Sequence, residues 1–169
     1  MATNDPVLVS YYPMLPGANA AALVFRVDGS SPTIQYEVLA YDASTIEYYD
    51  FACRVSDRYA GAAFAVKFAF SATSATSGNV VWEIAFHRNP TGEDIDTAHT
   101  FSYQSVTVAC GATTGFPIYT SIAFTQAQAD AIAAGEQVIM RVRRNASSAS
   151  DTMTGDAELH FASMGAVES

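Results

Sequence analysis

Short runs in which large apolar residues alternate with small or polar ones, each closed by a cluster of Gly, Ser, Asn, Asp or Pro, restrict this chain more than any other feature. Successive side chains of a β-strand point to opposite faces, so such a run has one face to bury and one to spare. In 63–70, Phe64, Val66, Phe68 and Phe70 share a face opposite Ala63, Ala65, Lys67 and Ala69. In 79–88, Val80, Trp82, Ile84 and Phe86 oppose Val81, Glu83, Ala85 and His87, and in 138–144, Val138, Met140 and Val142 oppose Ile139, Arg141 and Arg143. About nine such runs follow one another, at 20–28, 34–41, 46–55, 62–72, 78–88, 100–109, 118–125, 136–145 and 156–163. Strands at this spacing, not interleaved with helices, predict an all-β fold. The expected architecture is a jelly-roll-like antiparallel β-sandwich of about eight or nine strands. The one helical candidate is 125–134, where Thr125 can cap a first turn, alanines favour helix and Gly135 can end it.

Residues 1–19 do not alternate in this way. They carry Pro6, Pro13 and Pro16 among aliphatics and two adjacent tyrosines, which suits an extended arm. The expected organisation is an arm over 1–19 and a single sandwich domain over 20–169. Val7, Val9, Tyr11, Tyr12, Met14 and Leu15 are the arm's candidate partner-binding residues, because apolar side chains on an arm need a surface to cover them. A neighbouring molecule is the favoured cover. Half of the 169 residues are apolar, enough to build a core without a metal or disulfides.

The formal net charge of −9 repels phosphate backbones and anionic lipid, so neither nucleic acid nor a membrane is an expected partner. No apolar stretch is long enough to cross about 30 Å of hydrocarbon. The first residues, MATNDP, lack the basic start of a secretory signal. Cys53 and Cys110 lie in strand-like runs and read as small buried hydrophobes, with a cross-strand disulfide as the alternative.

Catalysis needs a nucleophile beside a base, paired carboxylates or a metal set, and none is evident. His87, His99 and His160 are far apart in sequence, and His87 and His160 alternate with core residues, which places them on an exposed strand face. Glu93, Asp94 and Asp96 crowd the turn at 89–96 and could hold calcium, but their spacing matches a solvated turn better. Asp151, Asp156 and Glu158 flank a Gly turn and read as solubilising acids. Arg141, Arg143 and Arg144 are expected on an outward face, paired with acids of neighbouring strands, with acids of a partner subunit as the alternative. Asn145-Ala146-Ser147 matches a glycosylation acceptor, a motif that chance often supplies. The expectation is a protein that is not an enzyme, with no metal and no cofactor.

Two segments, ATSATSGNVVWEIAF (72–86) and GEQVIMRVRRNASSASDTMTGDAELHF (135–161), resemble small β-sandwich virion proteins of tailed bacteriophages. The resemblance covers 72–161, and at 143–146 this chain has Arg-Arg-Asn-Ala where that group more often has Arg-Asp-Ala. The resemblance implies a structural virion protein, above all a capsid decoration (cement) protein that bridges major capsid protein subunits. It would be made in the host cytoplasm, sit on the head surface and self-associate as a homotrimer. The alternative is a carbohydrate-binding or receptor-binding module of a tail or fibre protein. In that case Tyr48, Tyr49 or Tyr103 would line a groove and the acids of 93–96 would hold calcium.

Overall fold

The computed structural model describes residues 11–13, 19–27, 35–95 and 98–166. Among the described residues ten strands are formed: β1 (Tyr11–Pro13), β2 (Ala22–Val27), β3 (Gln35–Tyr41), β4 (Glu47–Arg54), β5 (Phe64–Ala72), β6 (Asn79–Asn89), β7 (Gln104–Ala109), β8 (Ile118–Phe124), β9 (Gln137–Arg144) and β10 (Ala157–Ala166). They make two five-stranded antiparallel sheets, ordered β1-β4-β9-β6-β7 and β2-β3-β10-β5-β8. The nine expected runs correspond to β2–β10, and the fold is the expected β-sandwich.

The alternation in the sequence decides which faces meet. Phe64, Val66, Phe68 and Phe70 from one sheet, and Val80, Trp82, Ile84 and Phe86 with Val138, Met140 and Val142 from the other, are all buried between the layers. Trp82 lies at the centre, with Tyr41, Phe68 and Phe70 edge-on to it at ring centroid distances of 5.0, 5.7 and 5.5 Å. Aromatic pairs prefer such geometry to flat sandwiches because the positive ring edge meets the negative face. The opposite faces are less open than half-buried strands would be: Ala65, Ala69, Val81 and Ala85 are buried too.

Three expectations are corrected. Residues 11–13 of the arm pair within the chain, as an edge strand with Tyr11 opposite Cys53 and Pro13 opposite Phe51. An edge position tolerates the missing N–H of Pro13. Val7, Val9, Met14 and Leu15 lie outside the described residues. The helix at 125–134 shrinks to a single 3-10 turn, Ala127–Ala129. Asp130 and Ala131 there turn left-handed, with φ of 56° and 52°, and end it. That reversal drops Ile132 into the core beside Ala129, and the Gln126 amide secures it by donating to the Ile132 carbonyl at 2.9 Å. Packing thus overrides alanine's helix preference.

The third correction concerns Arg144, which faces inward and is fully buried. It continues the series Val138, Met140, Val142, as period two requires. Asp151 meets it with two charge-assisted bonds, Nε to Oδ2 at 3.0 Å and Nη2 to Oδ1 at 2.7 Å. The carbonyls of Gly155 and Met153 accept from it at 2.8 and 2.7 Å. Asp151 Oδ2 also accepts from the Val81 amide at 2.9 Å, and Thr152 and Met153 amides both reach the Asn79 carbonyl. A side chain at Gly78 (φ 97°) would sit 2.7 Å from the Thr152 carbonyl oxygen, so only glycine permits this close approach. Glu158 is buried as well, accepting from Ser71 Oγ at 3.1 Å. Of the acids expected to be solubilising, Asp151 therefore ties 145–156 to β6 and to the core, and Glu158 is buried on β10.

Candidate functional site

Strand register brings together a set of side chains on the outer face of the β1-β4-β9-β6-β7 sheet. Tyr48, Arg143 and Glu83 lie side by side across β4, β9 and β6, and Asp50, Arg141 and Ala85 form the neighbouring row. Each arginine faces an acid one strand away, the cross-strand pairing expected for Arg141 and Arg143. Arg141 grips Asp50 with Nε to Oδ1 and Nη2 to Oδ2, both 2.7 Å. Arg143 donates Nε to Glu83 Oε2, and Asn145 Nδ2 donates to Glu83 Oε1 at 2.9 Å. The Asn145 amide is thus spent internally, with its oxygen accepting from Ser147 Oγ at 2.9 Å.

The segment between β6 and β7 then lays aromatic rings over these pairs. The Arg141 guanidinium lies 4.0 Å from the centroid of Tyr48 and 4.0 Å from that of Phe101, held between the two rings. Arg143 lies 3.5 Å from the Tyr103 centroid. Both contacts suit a planar cation, whose charge is attracted by the ring face. Burial by itself would pull the Arg141 pKa down, but hydrogen bonds and charge from Asp50, with Tyr103, outweigh it and hold it above the ordinary value. The charges are fixed in place, with side-chain exposures of 21% and 24% for Arg141 and Arg143.

Tyr48 and Tyr103 therefore share this face, whereas Tyr49 is buried in the core against Phe51. Glu93 and Asp94 sit on an exposed turn, and Asp96 lies outside the described residues. Phe101, Asp50 and Glu83 complete the face and were not singled out from the sequence. The signal for the acids was one carboxylate per neighbouring strand, at positions whose alternation faces outward.

The histidines part company. His87 is not exposed but 9% accessible, because the 98–103 segment packs His99 and Phe101 over it. His160 is the extra residue of a bulge in β10, and its Nε2 lies 2.9 Å from Ser71 Oγ. Both cysteines are free thiols: Cys53 is buried on β4 and Cys110 follows β7, with two strands between β4 and β7 in the sheet.

Compared with known protein families and with curated proteins, the sequence matches none. Among solved structures it is similar to the CBM22-1 xylan-binding domain of Paenibacillus barcinonensis Xyn10C, at 8% identity and a TM-score of 0.45, over 98% of this chain and 91% of the other. It is also similar to CBM28, a carbohydrate-binding module specific for non-crystalline cellulose, at 9% identity and a TM-score of 0.48, over 90% and 87%. A third similarity is to the enzymatically active domain of bacteriophage CBA120 tailspike protein 4, at 11% identity and a TM-score of 0.42, over 94% of this chain and 20% of that one. At these identities the likeness is one of fold alone.

Proposed function

We propose that the chain is a carbohydrate-binding β-sandwich module that takes its ligand across the outer face of the β1-β4-β9-β6-β7 sheet. A sugar ring has an apolar C–H face and a rim of hydroxyls that both donate and accept, so its site needs aromatic surface beside paired donors and acceptors. Tyr48, Phe101 and Tyr103 supply the first, and Arg141, Arg143, Asp50 and Glu83 the second.

The observation that carries the reading is Arg143. It is held flat on Tyr103 and anchored through Nε, yet among the described residues its two terminal nitrogens have no hydrogen-bond partner and are not buried. Donors already fixed in orientation lose little entropy on binding. The role is recognition and not catalysis, and a glycan of a host surface would suit a module working in a tail or fibre. Head decoration, with the major capsid protein as partner and a homotrimer as the form, is a separate proposal that rests on the sequence resemblance alone.

A glycan array followed by calorimetry on the best ligand tests the reading. Arg143→Lys keeps the charge beside Glu83 but loses the planar stacked fork, and Tyr103→Ala removes the ring beneath it. Both are expected to weaken binding about tenfold or more while leaving the unfolding midpoint near that of the parent. An array without binders, or a bound glycan indifferent to both changes, overturns it.

A further inference from the structure

The longest uncharged stretch of the chain, Thr97 to Ala129, has no Asp, Glu, Lys or Arg, in a protein whose 17 acids and 8 bases leave a net charge of −9. It contains β7 and β8, the two strands that end the sheets on one side of the sandwich. Charge is thus withdrawn from one edge of the molecule. An edge strand leaves a row of backbone N–H and C=O groups without a strand partner, and proteins ordinarily guard it with a lysine, a proline, a bulge or a very short strand. The opposite edge is guarded in these ways: β1 is 3 residues long and ends in Pro13, and β2 contains Arg26. β8 is not. Its 7 residues include no charge and no proline, and they pair with β5 without a break in register, from Ile118 opposite Phe70 to Phe124 opposite Phe64. Among the described residues no strand lies on its other side.

Exposed apolar surface gathers at the same edge. Tyr119 is 72% exposed, Phe161 46%, and Phe116, just before β8, 65%. Phe161, Ala69 and Tyr119 stand side by side across β10, β5 and β8, and the two rings come within 6.3 Å of each other, centroid to centroid. Ser163, Lys67 and Ser121 form the neighbouring row. The inward side chains of β8, Ile122 and Phe124, belong to the core, so the strand offers a partner its edge and its outer face.

We propose that β8 pairs antiparallel with β8 of a second copy about a two-fold axis, joining two five-stranded sheets into one continuous sheet. Two arguments select a second copy over an unlike partner. An antiparallel edge is complementary to itself, because the axis sets each donor of one strand against an acceptor of the other. Two chains that each carry −9 also repel wherever their acids are exposed, so they meet most easily where neither presents a charge. An axis through Ser121, the middle of the strand, sets Ser121 opposite its own copy and Tyr119 opposite Ala123 of the second copy. The large ring then faces a small side chain, as it faces Ala69 within its own sheet, and such cross-strand contacts stabilise the pairing. The contact closes at two chains. The Arg141–Arg143 face stays open, since it lies on the other sheet.

Sedimentation velocity on the full chain over a dilution series is expected to show a monomer–dimer equilibrium. Ser121→Lys sets two like charges opposite each other on the axis, beside Lys67, and should weaken dimerisation about tenfold or more. Tyr119→Ala should weaken it too. Both positions are exposed, and circular dichroism checks that each variant keeps the β fold. In a Cys110→Ser background, Ser121→Cys should link two chains on mild oxidation. Directly opposed residues of antiparallel strands have Cα atoms about 4.5–5.5 Å apart, within the reach of a disulfide. A monomer at every concentration, a trimer, or a dimer that Ser121→Lys does not loosen and Ser121→Cys does not link would each overturn the proposal.

Discussion

Asp151→Asn removes one negative charge from a site closed to solvent. The Arg144 and Asp151 side chains are 0% and 1% exposed, so the guanidinium would keep the Gly155 and Met153 carbonyls but lose its only ion-pair partner among the described residues. Breaking a buried ion pair from one side costs about 3–5 kcal/mol, because the remaining charge stays desolvated. Domains are stable by about 5–15 kcal/mol in total, so the loss is roughly a third to a half of a mid-range value of about 10 kcal/mol. At about 2–4 °C per kcal/mol for a chain of this size, the midpoint should fall by roughly 6–20 °C. Trp82, the single tryptophan and fully buried, reports unfolding in urea by its fluorescence. Arg144→Met should also destabilise, since Asp151 is then stranded. The double variant Arg144→Met/Asp151→Asn should cost less than the sum of the two. A loss below about 1 kcal/mol for Asp151→Asn is the range of an exposed pair and would refute the claim that the pair is cut off from solvent.

Asp156 titrates above the ordinary carboxylate range, first because it is partly buried and then because Asp42 and Glu158 repel its charge, with Arg144 offsetting part of this. A folded-state pKa above the unfolded one gives stability that is present below the unfolded pKa and is lost as pH rises through the folded one. Asp156→Asn should therefore raise the melting temperature at neutral pH, with the gain shrinking in acid where the native carboxyl is protonated; no gain at neutral pH would contradict this. Burial pushes the Cys53 thiol up to about 12, so in the native state only Cys110 should react with a disulfide reagent, and both thiols only in denaturant. Rapid modification of two thiols per native chain would show that β4 opens.

Most of the layering was legible because the chain repeats one instruction, large apolar residues at every second position, and two facing sheets are its economical solution. Strand β1 was not legible, since three residues ending in proline carry no period of their own and take their structure from the edge of β4. The 125–134 segment misled because alanine's propensity is worth little beside the burial of Ala129 and Ile132. Arg144 was misplaced by its charge. Its position in the alternation pointed inward, but an inward arginine is credible only once a partner is known, and Asp151 is seven residues away through a loop that spacing cannot fold. The aromatic–arginine face was half visible for the same reason: Arg141 and Arg143 showed in the strand pattern, whereas the rings over them depend on how the 98–103 segment crosses the sheet.

The arginines of β9 also divide the chain's polar residues by purpose. Arg144 and the acid, glycine turn and amides that answer it belong to the scaffold, and nearly all of them lie within 72–86 and 135–161, the two segments on which the expected resemblance rests. Tyr48 and Asp50 lie before 72, Phe101 and Tyr103 lie between the two segments, and of the proposed binding face Glu83, Arg141 and Arg143 fall within the segments themselves. A chain can therefore keep the whole Arg144 network, and with it the resemblance, while the 98–103 segment changes what lies over the arginines. The two segments carry the residues that close the sandwich, whereas a ligand of the proposed face would meet residues that lie largely outside them.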